Sequence, residues 1–132
     1  MFELNETLKN DTIFIADLAL SRLLLMNNSL YPSLILVPRK EDISEVIDLE
    51  KSERFVLIEE INLISKIVKD IFKPDKLNIA ALGNIVPQLH IHIIARYKND
   101  RVFPKTIWVD NEKRNYEKSE AEEIIKKILN LL

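Results

Sequence analysis

The 132-residue sequence contains no cysteine, one glycine, one tryptophan and two histidines. Lack of cysteine removes disulfides, thiolate metal sites and thiol nucleophiles together, and fits a reducing compartment. A single glycine rules out the glycine-rich phosphate loops of the P-loop and Rossmann kinds. If phosphate is bound, side chains and strand-end amides must do it. The formal net charge of -2 argues against a broadly basic nucleic-acid binder, so any anion site must be local. No cationic segment followed by an apolar run opens the chain, and no stretch reads as a membrane span. The expectation is one cytoplasmic domain over residues 1–132, burying about two-thirds of its unfolded surface.

Both histidines fall two residues apart in the stretch Asn84 to Arg96, Asn-Ile-Val-Pro-Gln-Leu-His-Ile-His-Ile-Ile-Ala-Arg. From Gln88 onward the residues alternate. Gln88, His90, His92 and Ile94 fall on one face of an extended segment, and Leu89, Ile91, Ile93 and Ala95 on the other. The expectation is a strand with an apolar face on the core and an imidazole face lining a cleft. Three readings apply to the pair: hydrogen-bonded side chains without chemistry, two ligands of one metal ion, or an imidazole nucleophile beside anion-binding neighbours. Metal ligation is weakened by the lack of cysteine, of a third histidine and of suitably spaced carboxylates. What surrounds the pair is amide and cationic: Asn84, Gln88, Arg96, Lys98, Arg101 and Lys105. That neighbourhood looks built for phosphate.

The lone glycine, Gly83, directly precedes this stretch. Upstream, Glu3 to Asn10 reads as a short amphipathic lead, then strands are expected over Thr12–Asp17, Leu20–Asn27 and Leu34–Val37, the last stopped by Pro38. Asp42 to Leu49 carries a possible short helix on the Asp42/Glu45 capping-box spacing. A main helix is expected over 51–72, with an apolar stripe of Phe55, Ile58, Ile61, Ile64 or Ser65, Val68 and Ile71 or Phe72, stopped by Pro74. A fourth strand follows over 76–82, then the histidine strand. Tyr97 to Val109 reads as a basic loop ending in Trp108, weighed as a packing anchor ahead of a place beside the site. The Ser119/Glu122 spacing opens a last helix with Ile124, Ile125, Ile128, Leu129 and Leu132 as its apolar face. The order of elements predicts an α+β fold with a five-stranded antiparallel sheet, one long helix and a C-terminal helix.

The motif Gly83-Asn84 followed by Gln88-Leu89-His90-Ile91-His92-Ile93-Ile94 resembles the histidine triad (HIT) superfamily of nucleotide hydrolases and transferases, in a bacterial-type branch with Gln-x-His-x-His. The resemblance covers roughly Thr12 to Trp108. It implies that His90 attacks the α-phosphorus of a nucleotide to form a nucleotidyl-histidine intermediate, with Gln88 and His92 in the flanking triad positions. A glutamine there can donate a hydrogen bond but cannot carry a proton. Relatives often have serine or threonine where this chain has Ile85, and glutamine where it has Asn84. The resemblance also matches Asn27, with Asn28 as the alternative, to a residue contacting ribose or phosphate; a plain turn asparagine reads equally well. Asn84 and Arg96 join it as candidate substrate-binding residues.

The substrate class so implied is a dinucleoside polyphosphate, phosphoramidate or adenylate. No resident cofactor is expected, magnesium entering only with substrate phosphates, and relatives of this kind form homodimers. The competing readings are a nucleotide-binding module without turnover and, behind it, a His-x-His metalloprotein.

Overall fold

The computed structural model describes all residues, 1–132. Its elements in chain order are α1 (Glu6–Asp11), β1 (Thr12–Asp17), β2 (Ser21–Met26), β3 (Ser33–Pro38), α2 (Lys51–Phe72), β4 (Lys76–Ala80), β5 (Ile91–Arg96) and α3 (Lys118–Leu131). The five strands form one antiparallel sheet in the order β1-β2-β3-β5-β4. This is the expected α+β architecture. No helix is long and apolar enough to cross a membrane.

Both faces of the sheet are covered, which is why β2 and β3 are leucine- and isoleucine-rich without alternation. On one face α2 and α3 pack over Leu23, Leu25, Leu34, Leu36, Ile91 and Ile93 through Leu57, Ile64, Ile67, Val68, Ala121 and Ile128. On the other, α1 and the segment before β5 lay Leu8 and Val86 over Leu24, Ile35 and Val37. Burying each such leucine or isoleucine contributes about 1.5–3 kcal/mol.

The bounds of α2 agree with its sequence pattern, and of the expected stripe Ile64 and Val68 are buried while Ile61 and Ile71 pack partly buried against the core; its first turns depart from it. Phe55 and Ile58 point to solvent, and the buried side is Leu57, Glu60, Ile64, Ile67 and Val68. In its first half the buried side runs through Leu57 and Glu60 in place of Phe55 and Ile58, so a glutamate faces inward. Glu60 is tolerated there because its carboxylate accepts the main-chain N–H groups of Leu20 and Ser21 at 2.9 and 3.1 Å, which satisfies the buried charge and the turn joining β1 to β2. Lys73 ends the helix in the left-handed conformation (φ 50°) usually given to glycine.

Other boundaries shift. Asp42 opens no helix; its φ is 55°, and Glu45 and Asp48 instead cap a single 3-10 turn at Val46–Asp48. The box that opens α3 is Glu117/Glu120, two residues before the Ser119/Glu122 pair. On α3, Leu129 and Leu132 are exposed. The fourth strand ends at Ala80, and the histidine strand starts only at Ile91. Residues 81–90 therefore form a connection outside the sheet. Gly83 takes φ 73° within it, a region open to glycine and costly for other residues.

Candidate functional site

His92 lies inside β5, beside Ile35 of β3 and Ala80 of β4, on the sheet face opposite α2. His90 precedes the strand by one residue. Both are buried, at 7% and 6% exposure. The face they share is not a polar strip, because Ile94 and Ile35 beside them are fully buried.

The Nδ1 atom of His90 lies 2.7 Å from the main-chain oxygen of Gln88. A carbonyl can only accept, so Nδ1 carries the proton and the neutral ring keeps its lone pair on Nε2. The His90 and His92 rings meet edge to face with centroids 4.9 Å apart. Trp108, from a 3-10 turn at Ile107–Val109, also meets the His92 ring edge to face, at 5.2 Å. Trp108 is 42% exposed, so it is a half-open wall and not a core anchor.

Burial, and secondarily the charge that His90 can carry, push the His92 pKa from 6.5 down to about 4. In the unfolded chain His92 gains its proton near 6.5, whereas in the folded chain it stays neutral until about 4. The unfolded state therefore binds more protons across that window, and stability falls as pH drops through it. The expected loss attributable to His92 is about 3 kcal/mol on going from pH 7 to pH 4. Urea unfolding at both pH values, in wild type and in His92→Asn, checks this: the variant should show a shallower decline.

The remaining candidates are dispersed. Asn84 is exposed on the 81–90 connection, next to Ile85, which is 90% exposed. Asn27 follows β2 and accepts the Tyr116 N–H on Oδ1 at 2.9 Å; Asn28 accepts from Leu30 and Arg114. Both asparagines tie down the segment before α3. Gln88 lies outside the strand, and its carboxamide bonds to the main chain of Glu3 and Asn5 at 2.8 Å each. Arg96 is buried at 1% exposure. Its guanidinium is filled by Asp100 at 2.7 and 3.1 Å, Asn78 Oδ1 at 2.8 Å and Lys105 O at 2.8 Å. Four of its five N–H donors are thus committed within the protein, and the side chain braces the 97–105 loop from a position closed to solvent.

Of the basic cluster downstream of the motif, the two arginines, Arg96 and Arg101, are paired with carboxylates. Arg101 pairs with Asp110 at 2.8 Å, and the Tyr31 hydroxyl donates to the same carboxylate at 2.6 Å. These two bonds hold the Asp110 carboxyl well below the usual carboxylate range and fix the turn that carries Trp108. Nothing local in the sequence announces this network, since Tyr31 is 79 residues from Asp110. No group of three or more histidine and carboxylate side chains is disposed to hold a metal ion.

A cavity of about 530 Å³ lies at the β1 edge between Phe2, Leu4, Phe14, Arg22 and Leu24. None of the candidate residues lines it. Arg22, its most obvious anion ligand, is paired with Asp17 at 2.8 Å.

A family model described as the HIT domain matches residues 7–99. Three solved structures align over almost the whole chain. A histidine triad protein from Bradyrhizobium japonicum is 43% identical, with a TM-score of 0.95 over 98% of this chain and 96% of its own. A histidine triad (HIT) protein from Sinorhizobium meliloti 1021 is 38% identical, with a TM-score of 0.96 over 99% and 97%. A histidine triad protein from Marinobacter aquaeolei VT8 is 37% identical, with a TM-score of 0.96 over 100% and 96%. No curated protein matches the chain. A domain match over most of the sequence and near-complete structural overlap with three such proteins lead to one conclusion: the chain belongs to the histidine triad (HIT) family.

Proposed function

We propose that the protein is a nucleotide hydrolase or nucleotidyl transferase acting at an α-phosphate through a nucleotidyl-His90 intermediate. The observation that carries this reading is the Nδ1–H of His90 held by the Gln88 carbonyl at 2.7 Å, which leaves Nε2 as a neutral, oriented nucleophile. The Nε2 lone pair forms the N–P bond as the bond from phosphorus to the leaving group breaks. Water, or another acceptor hydroxyl, then attacks phosphorus, releases Nε2 and gives up its proton to solvent. Neutral His92 serves as a donor to the phosphate oxygens. Gln88 cannot protonate the leaving group, so leaving groups stable without a delivered proton suit the site best. No resident cofactor is assigned.

The test is transfer itself: a covalent AMP on His90, seen by intact mass. A second reading, a binding module without turnover, is favoured by one observation. The side chain at position 88 is both non-ionisable and committed to Glu3 and Asn5.

The reading includes a homodimer. Two features support it: β4 is a sheet edge with Ile79 half exposed, and α2 turns Phe55 and Ile58 outward. Exposed apolar residues grouped on one element commonly mark an interface. Analytical ultracentrifugation should find dimer for wild type and a shift to monomer for Phe55→Lys/Ile58→Lys; unchanged sedimentation would remove this interface.

A further inference from the structure

We propose that Gln88 is a positioning residue, whose side chain couples the N-terminal segment 3–5 to the orientation of the His90 ring. This rests on the reading of His90 as the nucleophile.

The Gln88 carboxamide makes two reciprocal bonds with main chain: Asn5 N–H donates to Oε1, and Nε2 donates to Glu3 O, both at 2.8 Å. One residue's carbonyl and the N–H two residues on form the pair that a strand presents along one edge to its neighbour. The glutamine side chain thus stands in for a neighbouring strand. Only a carboxamide does this well. A carboxylate has no donor, and the two nitrogens of an imidazole point in divergent directions.

The same residue holds His90 by its main chain. Residues 81–90 belong to no strand, so the ladder of β5 does not fix the direction of the Gln88 carbonyl. Two anchors flank it instead. Leu89 N–H donates to Ile43 O at 2.9 Å, and the Gln88 side chain is clasped by Glu3 and Asn5. The clasp is itself firm: Asn5 caps α1 through its side chain, and Phe2, Leu4 and Leu8 pack on the Leu24, Ile35, Val37 and Val86 cluster. Loosening the clasp frees the carbonyl to swing, and with it the atom that keeps the proton on Nδ1. On this account residues 3–5 are a working part of the site, and the glutamine is selected for its two-sided bond to main chain.

Histidine-labelled full-length protein reads this directly, because ¹⁵N shifts separate a ring protonated on Nδ1 from one protonated on Nε2. Wild type should show His90 protonated on Nδ1. Gln88→Ala, which removes the side-chain bonds, and Asn5→Pro, which removes the N–H at a φ of -52° that proline accepts, should both populate the Nε2–H form. Asn5→Ala loses the helix cap but keeps the N–H, and is the reference that Asn5→Pro must exceed. With turnover present, kcat should fall on the order of tenfold to a hundredfold in Gln88→Ala and Asn5→Pro, with KM moving much less. Gln88→His should lose rate in the same way, since imidazole cannot make both bonds. Retention of the Nδ1–H ring in Gln88→Ala, or a gain in rate in Gln88→His, overturns the proposal. A tautomer change in a protein that turns over no nucleotide upholds the coupling and removes only the catalytic reading.

Discussion

Mixed briefly with an adenosine phosphoramidate or a diadenosine polyphosphate at mildly alkaline pH, the wild-type protein gains the mass of one AMP, and His90→Ala stays at its own mass. The alkaline condition matters because a phosphorus–nitrogen bond to imidazole survives there. The expectation follows from position. His90 has one ring nitrogen committed to the Gln88 carbonyl at 2.7 Å, and its other nitrogen makes no hydrogen bond within the protein. His92, by contrast, contacts the rings of both His90 and Trp108 edge to face, is kept neutral by burial, and has no carbonyl to fix its tautomer. Removing the nucleophile from a covalent enzyme typically costs roughly 10⁴–10⁶ in kcat, so steady-state hydrolysis by His90→Ala should fall to background. Product formed at the wild-type rate by that variant would refute the mechanism. Absence of adduct and of product in wild type would shift the assignment to the nucleotide-binding module.

Arg96→Met should destabilise the fold by about 3–5 kcal/mol, the cost of breaking a buried ion pair from one side. Arg96 and Asp100 are both nearly inaccessible, with side-chain exposures of 1% and 8%. Burial alone would raise the Asp100 carboxyl, but the Arg96 hydrogen bond and the N–H groups of Phe103, Val102 and Tyr97 bring it down to about 2. With the guanidinium gone, a carboxylate is left in a pocket shaped for its partner, and Asn78 Oδ1 and Lys105 O also lose their donor. Urea unfolding at pH 7 measures the loss. Arg96→Met/Asp100→Asn should recover part of it, because the stranded charge is then removed. A loss below about 1 kcal/mol in the single variant would mean that the pair behaves like an exposed one.

These two residues also mark how far the sequence could be read. The strand, long helix and strand succession was legible because β2 and β3 are unbroken apolar runs and Pro74 closes α2. The histidines were legible because no other histidine exists to dilute them. The neighbours were harder. Arg96 sits four residues from the Asp100 that neutralises it, yet spacing alone does not tell a ligand-binding arginine from a bracing one; only burial does. Extending the alternation backward puts Gln88 on the histidine face, but the β3 pairing reaches only to Ile91 opposite Leu36. The chain leaves the sheet there, and the amide turns toward residues more than 80 positions earlier. For Trp108 the sequence leaves a packing anchor and a place beside the site both open; its turn is set by Tyr31 and Arg101 through Asp110, contacts that no local pattern encodes.

Glu60 has a consequence for how the molecule comes together. The turn between β1 and β2 leaves two main-chain N–H groups, of Leu20 and Ser21, that the hairpin does not satisfy; a helix side chain 39 and 40 residues later in the chain does. The first hairpin is therefore not a self-sufficient nucleus. Its tip is finished only once α2 has docked, so sheet and helix close as one cooperative unit, and neither layer opens without exposing polar groups in the other.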